Sequence, residues 1–146
     1  MESLPIRIII NLSYIKHFMS KIEIKHPDKS VSTGAYSAGI LTDGWLFISG
    51  QGPLNLSTGE VVRGTIQEET LLTLSHIKKI IEAAGGNIED IVKCTVHLSD
   101  INDFEKYNAA YASFFPGIRP ARTTVQSVLF GGIKIEIDAI AKIQKK

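Results

Sequence analysis

The chain has 146 residues, and 16 Lys and Arg against 15 Asp and Glu leave a formal net charge of +1. That length fits one compact domain, and the near balance of charge excludes a global field drawing it to nucleic acid or to a membrane surface. A hydrophobic share of 44% excludes a disordered chain, and a lone cysteine, Cys94, excludes both a disulfide scaffold and a cysteine zinc cluster.

The first twenty residues differ from the rest. Leu4 to Met19 is apolar and weakly basic, with Arg7 and Lys16 but no acid. Arg7 and Asn11 interrupt any secretory core, and a single Arg makes a poor transit peptide. Residues 1–20 therefore read as a short extension before a domain over 21–146, with Met19 as a natural start. The expected location is cytoplasmic, with import into an organelle through the extension left open. No apolar run approaches the ~20 residues of a membrane-spanning helix.

From Lys21 the periods become legible. Ile22 and Ile24 alternate with charged neighbours, predicting a short edge strand before the His26-Pro27-Asp28 turn. Ser37 to Thr42 and Trp45 to Ser49 read as hairpin partners around an Asp43-Gly44 turn. Pro53 to Gly64 reads as a loop. Thr65 and Glu68 form a capping box before a helix whose buried stripe is Ile66, Leu74, Ile77, Ile80, Ile81 and Ala84. Gly85-Gly86 supplies its stop.

Ile91 to Leu98 alternates again, with Val92, Cys94, Val96 and Leu98 expected on one face. Asp100 to Asp103 can cap a second helix carrying Phe104, Tyr107, Tyr111 and Phe114 on one stripe. Arg122 to Phe130 reads as a strand, Gly131-Gly132 as its turn, and Ile133 to Ile143 as the last strand. The order β-ββ-α-β-α-ββ predicts an α+β domain with both helices on one face of a mixed sheet. The last strand turns Lys134, Glu136, Asp138 and Lys142 outwards, a polar face that suits solvent, a partner subunit or a pocket.

Motifs for phosphate loops and dinucleotide sites are missing, and His17, His26, His76 and His97 lack ligand spacing, so no metal site is expected. Cys94, on an apolar strand face, reads as a buried structural thiol. What remains are polar residues at strand ends: Tyr36, Ser49, Gly50, Asn108, Arg122 and Glu136. Singly, each has a bland reading as a surface charge, a packing aromatic or an exposed helix position.

Their contexts form a pattern. G-A-Y-S (Gly34 to Ser37), F-I-S-G-Q-G-P (Phe47 to Pro53), T-G-E (Thr58 to Glu60) and E-A-A-G (Glu82 to Gly85) come in order. D-I-V-K-C-T-V (Asp90 to Val96), N-D-F-x-x-Y-N-x-x-Y-x-x-F-F (Asn102 to Phe115), R-P-A-R-T-T-V (Arg119 to Val125) and K-I-E-I-D-A-I-A (Lys134 to Ala141) follow. Eight strings in register closely resemble the RidA (YjgF) family of enamine and imine deaminases, and the resemblance covers about Lys21 to Ile143.

The resemblance implies a chorismate-mutase-like fold and a homotrimer with clefts between subunits. It also implies a catalytic pair without cofactor: Arg122 to hold a substrate carboxylate and Glu136 to activate water. Guanidinium grips a carboxylate bidentately, which suits that role. Tyr36, Ser49, Gly50, Asn108 and Thr124 match the family's substrate-binding positions. Two departures stand out: Ala35 where proline is common, and Thr124 where many members carry cysteine. The loop Pro116 to Pro120 and the turn at Gly131-Gly132 are shorter than in the best-known enzymes, which leaves substrate size open.

The expected activity is hydrolysis of 2-aminoacrylate- or 2-iminobutanoate-like substrates to 2-oxo acids and ammonia. A deaminase for a larger enamine such as aminomuconate, and a non-catalytic trimer holding a small carboxylate, are the alternatives. Relatives are also described as ribonucleases, but this chain has no basic stripe to support RNA binding.

Overall fold

The computed structural model describes residues 20–144, so the expected extension lies, but for Ser20, outside the described residues. Strands β1 (Ile22–Ile24), β2 (Gly39–Thr42) and β3 (Trp45–Gln51) precede helix α1 (Ile66–Ala83). Strand β4 (Ile91–Leu98), helix α2 (Phe104–Phe114), β5 (Ala121–Gln126) and β6 (Ile135–Lys142) follow, giving the expected order. The six strands form one sheet, β1-β2-β3-β6-β4-β5, in which only β4 and β5 run parallel.

Local chemistry sets the boundaries. Asp43 (φ 49°) and Gly44 (φ 74°) are both left-handed, as a tight hairpin turn between right-twisted strands requires. Thr65 caps α1: its hydroxyl accepts the Glu68 N–H at 3.2 Å, and the Glu68 carboxylate accepts the Thr65 N–H at 2.8 Å. Gly85 (φ 85°) then turns the chain out of the helix.

The core lies between the helices and one sheet face. Leu74, Ile77, Ile80 and Ile81 of α1 pack with Leu46, Cys94, Val96, Ile135 and Ile137 of the sheet, all fully buried. Each such aliphatic side chain contributes about 1.5–3 kcal/mol by leaving water. Cys94 is a buried free thiol, and burial pushes its pKa up, in line with a structural role.

Three expectations need correction. Val92 is exposed, because the β4–β6 register shifts between Ile91 and Lys93, and Ile91 takes the buried place. The strand expected over Arg122 to Phe130 stops at Gln126. There the Ser127 N–H bonds the carbonyl of Leu98, the last residue of β4, and no partner strand continues beyond it. The outward face of β6 is also less polar than expected. Ile140 pairs with Phe47, which pairs in turn with Ile40, and these make an apolar row with Phe47 46% exposed.

Candidate active site

The site begins with an irregularity in β3. Ile48 pairs with Ala139 and Gln51 with Ile137, so Ser49 and Gly50 together oppose the single residue Asp138. Such a bulge bends a strand and re-aims its side chains. Ser49 is fixed on both sides of its peptide unit. Its hydroxyl donates to the Ser37 carbonyl at 2.6 Å, its N–H to the Ala38 carbonyl at 3.0 Å, and its own carbonyl accepts Gln51 Nε2 at 3.0 Å.

Gly50 is small for a steric reason. A Cβ there would stand 2.1 Å from Glu136 Oε1 and 3.0 Å from its Cδ. The Glu136 carboxyl therefore lies over the bulge, and any larger residue would push it away. Around this pair opens a cavity of about 490 Å³ whose lining includes Tyr36, Ser49, Gly50 and Glu136. The Tyr36 hydroxyl is shared with the Thr33 hydroxyl and accepts Lys29 Nζ at 3.2 Å, while Lys29 also sits 4.6 Å from the ring centroid. Four of the seven sequence-derived site residues thus meet in one place.

The other three stand elsewhere. Arg122 pairs with Cys94 and Thr124 with Val96, so both share the helix-facing side of the sheet. Glu136 pairs with His97, on the opposite side. Within one chain, Arg122 and Glu136 project from opposite faces. The Arg122 guanidinium lies 4.7 Å from the Tyr111 ring centroid, 5.2 Å from Tyr107 and 5.7 Å from Phe104, a stack of cation–π contacts along α2.

Arg122 forms no ion pair among the described residues. Thr124 shares a hydrogen bond with the Tyr107 hydroxyl, and Asn108 follows Tyr107 on α2, half-buried. Burial, chiefly, pushes the Tyr107 and Tyr111 phenols up, so both rings stay neutral beside the cation.

Several supports escaped the sequence reading. Glu69 is 1% exposed, and its carboxylate accepts the Lys134 N–H at 2.7 Å, the Gly64 N–H at 3.3 Å and Lys134 Nζ at 3.3 Å. Lys134 is therefore drawn to α1 instead of standing on the open face. Lys142 donates to the Asp43 carbonyl at 2.8 Å and covers the Trp45 ring, which ties it to the hairpin turn. The signal for Glu69 was its spacing: it stands three residues after Ile66, on the buried stripe.

His76 is the second support. Its Nε2–H donates to the Leu54 carbonyl at 2.9 Å, and its ring meets the His26 ring edge-on at 5.2 Å. His26 Nδ1 accepts the Asp28 N–H at 3.1 Å, and Asp28 pairs with Lys79 of α1. Burial, followed by the neighbouring His76, pushes the His26 pKa down to about 4, so both imidazoles are neutral at pH 7. Among the described residues no group of three or more His, Cys, Asp or Glu gathers as a metal would need. No described helix is long and apolar enough to cross a membrane.

A carboxylate poised over a glycine bulge, on a mixed sheet backed by two helices, defines a small α+β protein of the chorismate-mutase-like type with a polar-ended pocket. The chain belongs to the RidA (YjgF) family: the family model described as Endoribonuclease L-PSP matches residues 27–143. A RutC family protein of Pyrococcus horikoshii is 47% identical over 109 residues, covering 74% of this chain and 86% of the relative. The 2-iminobutanoate/2-iminopropanoate deaminase of Rattus norvegicus is 42% identical over 109 residues, covering 74% of this chain and 80% of its own length. The structure of E. coli TdcF with bound serine superposes with a TM-score of 0.77 at 34% identity, over 85% of this chain and 99% of that one.

Proposed function

We propose that the protein hydrolyses 2-imino and 2-enamino acids to 2-oxo acids and ammonia, in a cleft shared between copies of the chain. The observation that carries this reading is the division of the site. A caged arginine with no acidic partner among the described residues and a carboxylate above a bulge are both present, but on opposite faces of one sheet. A second copy resolves the division by bringing its Arg122 edge to the open face that holds Glu136. The apolar row of Ile40, Phe47 and Ile140 on that face supports such contact, since exposed apolar surface favours association. Closure of three copies is the assembly the family resemblance implies.

In this cleft Arg122 holds the substrate carboxylate through its planar fork, fixing the imine carbon within reach of Glu136. Glu136 accepts a proton from water as the oxygen attacks that carbon, then returns it to the departing nitrogen. Ser49 and Gly50 border the reacting centre, with Tyr36 on the same cavity and Asn108 and Thr124 beside Arg122. No step calls for a cofactor. The rat relative named as an imine deaminase, and the E. coli relative carrying serine, an amino acid with its own carboxylate, support the substrate class.

The test couples a threonine dehydratase to semicarbazide trapping, so that faster imine hydrolysis appears as less semicarbazone. Wild-type protein should suppress the semicarbazone and run as three chain masses by light scattering. Glu136→Gln should lose turnover by roughly a hundredfold yet still bind a 2-oxo acid, because the amide holds water without accepting its proton. A monomer in solution, or a fully active Glu136→Gln variant, would count against the reading.

A further inference from the structure

One part of the cavity lining comes from a segment with no regular structure. Residues 31–36 lie outside every helix and strand, and no proline stiffens them. At one end the Ser30 N–H donates to the Leu56 carbonyl at 3.0 Å, and at the other the Ser37 carbonyl accepts the Ser49 hydroxyl at 2.6 Å. Among the described residues, no backbone group between these two bonds another element. Yet this segment carries Thr33 and Tyr36, which share the lining with Glu136. Tyr36 is 45% exposed, so packing alone leaves its side chain several rotamers to lose.

Side chains supply the restraint that the backbone lacks. The Lys29 ammonium donates to Thr33 Oγ1 at 2.8 Å and to the Tyr36 hydroxyl at 3.2 Å, and the two hydroxyls bond each other. The same ammonium lies 4.6 Å from the Tyr36 ring centroid, within cation–π range. Beneath the ring is Gly34, where a Cβ would stand 2.9 Å from Tyr36 Cε1 and 3.1 Å from Cδ1. Lys29 is anchored in turn, because its N–H donates to the carbonyl of the buried His26 at 3.2 Å. It forms no ion pair among the described residues, although its neighbour Asp28 pairs with Lys79.

This triangle of bonds leaves one donor over. Each hydroxyl oxygen accepts from the lysine, and the bond between the hydroxyls uses one of their two hydrogens. The other hydrogen has no acceptor in the triangle, and neither hydroxyl has a further partner among the described residues.

We infer that Lys29 and Thr33 are positioning residues for Tyr36: they fix its phenol at the cavity and leave one hydroxyl hydrogen to bond the substrate. The inference rests on the deaminase reading and adds how one of its binding residues is held. Without the lysine, the phenol swings between rotamers and bonds water. With it, the donor is in place before substrate arrives, and binding orders nothing further there.

The experiment measures kcat/KM for the dehydratase-derived imine with the full-length protein, by semicarbazide trapping, beside the melting temperature. Lys29→Met keeps the apolar stem and removes every donor. It should lower kcat/KM roughly tenfold with an unchanged melting temperature. Tyr36→Phe keeps the ring and removes the hydroxyl, and should cost about the same. The decisive variant joins the two. Since Lys29 acts through the phenol, the pair should lose only about tenfold, where independent residues would lose about a hundredfold. Thr33→Val, at an exposed position, should likewise lower activity alone and add nothing to Tyr36→Phe. Full activity of Lys29→Met and Thr33→Val, or losses that multiply in the pairs, overturns the inference while wild-type turnover still upholds the deaminase reading. A wild type that hydrolyses no imine overturns both.

Discussion

The two halves of the candidate site are held by opposite means. Glu136 sits on the central strand β6, above a bulge whose Ser49 is held by the Ser37 and Ala38 carbonyls and by the Gln51 side chain, and its position depends on one absent Cβ. Arg122 sits on the outermost strand β5, and aromatic faces hold it where an acid could have done so. A carboxylate partner would have neutralised the guanidinium and competed with any substrate carboxylate. Stacking restrains the side chain yet leaves its N–H fork free for one. The carboxylate is thus positioned by steric allowance and the guanidinium by π-contact, which makes the two halves fail differently.

The largest expected effect comes from the arginine. Arg122→Ala should lower kcat/KM for imine hydrolysis at least ~100-fold, the scale of ~3 kcal/mol for a lost charged hydrogen-bonding group. Arg122→Lys should recover only part of this, because it keeps charge without the planar fork. Equal activity in the lysine variant would show that charge alone suffices and that the aromatic stack is incidental.

A smaller loss is expected from the opposite half. Gly50→Ala puts a methyl group where the Glu136 carboxyl now lies, and the flexible side chain can swing aside at little cost to the fold. Activity should fall roughly tenfold through misplacement of the acid, with a nearly unchanged melting temperature. Parallel loss of activity and stability would instead make Gly50 a folding residue.

The smallest effect concerns pH. His26 titrates near 4 in the folded chain, below the ordinary imidazole value of 6.5. Between those values the unfolded chain binds a proton that the folded chain refuses, so stability falls as pH falls through this window. His76, also shifted down by burial, acts in the same direction, facing Asp28 and Lys79. The cost is on the order of 1 kcal/mol after solvent screening, or a few degrees of melting temperature between about pH 6.5 and 4. His26→Asn should flatten that slope.

Short-range signals in the sequence were dependable. The Thr65–Glu68 box, the Asp43-Gly44 turn and the alternation of Ile133, Ile135, Ile137, Ala139 and Ala141 each rest on neighbours within a few residues, and each appears in the structure. Both strand irregularities were hidden, because a bulge depends on what the partner strand does. The pairing of Glu69 with Lys134 spans 65 residues and has no local mark beyond the helical spacing of Glu69. Family strings indicated that Arg122 and Glu136 belong together. Only the strand register reveals that one chain holds them apart.

The place of β6 in the sheet also governs how the chain reaches its fold. It is the last of the six strands in chain order, yet it lies between β3 and β4, bonded to both. Until residues 135–142 emerge during synthesis, β1-β2-β3 and β4-β5 are two separate ribbons, each presenting a bare inner edge. Helix α1 can begin to shelter their apolar sides, but no hydrogen bond joins the ribbons. The nascent chain therefore passes the last stage of its synthesis with two sticky edges exposed, and folding completes in a single late insertion with long-range contacts on both flanks.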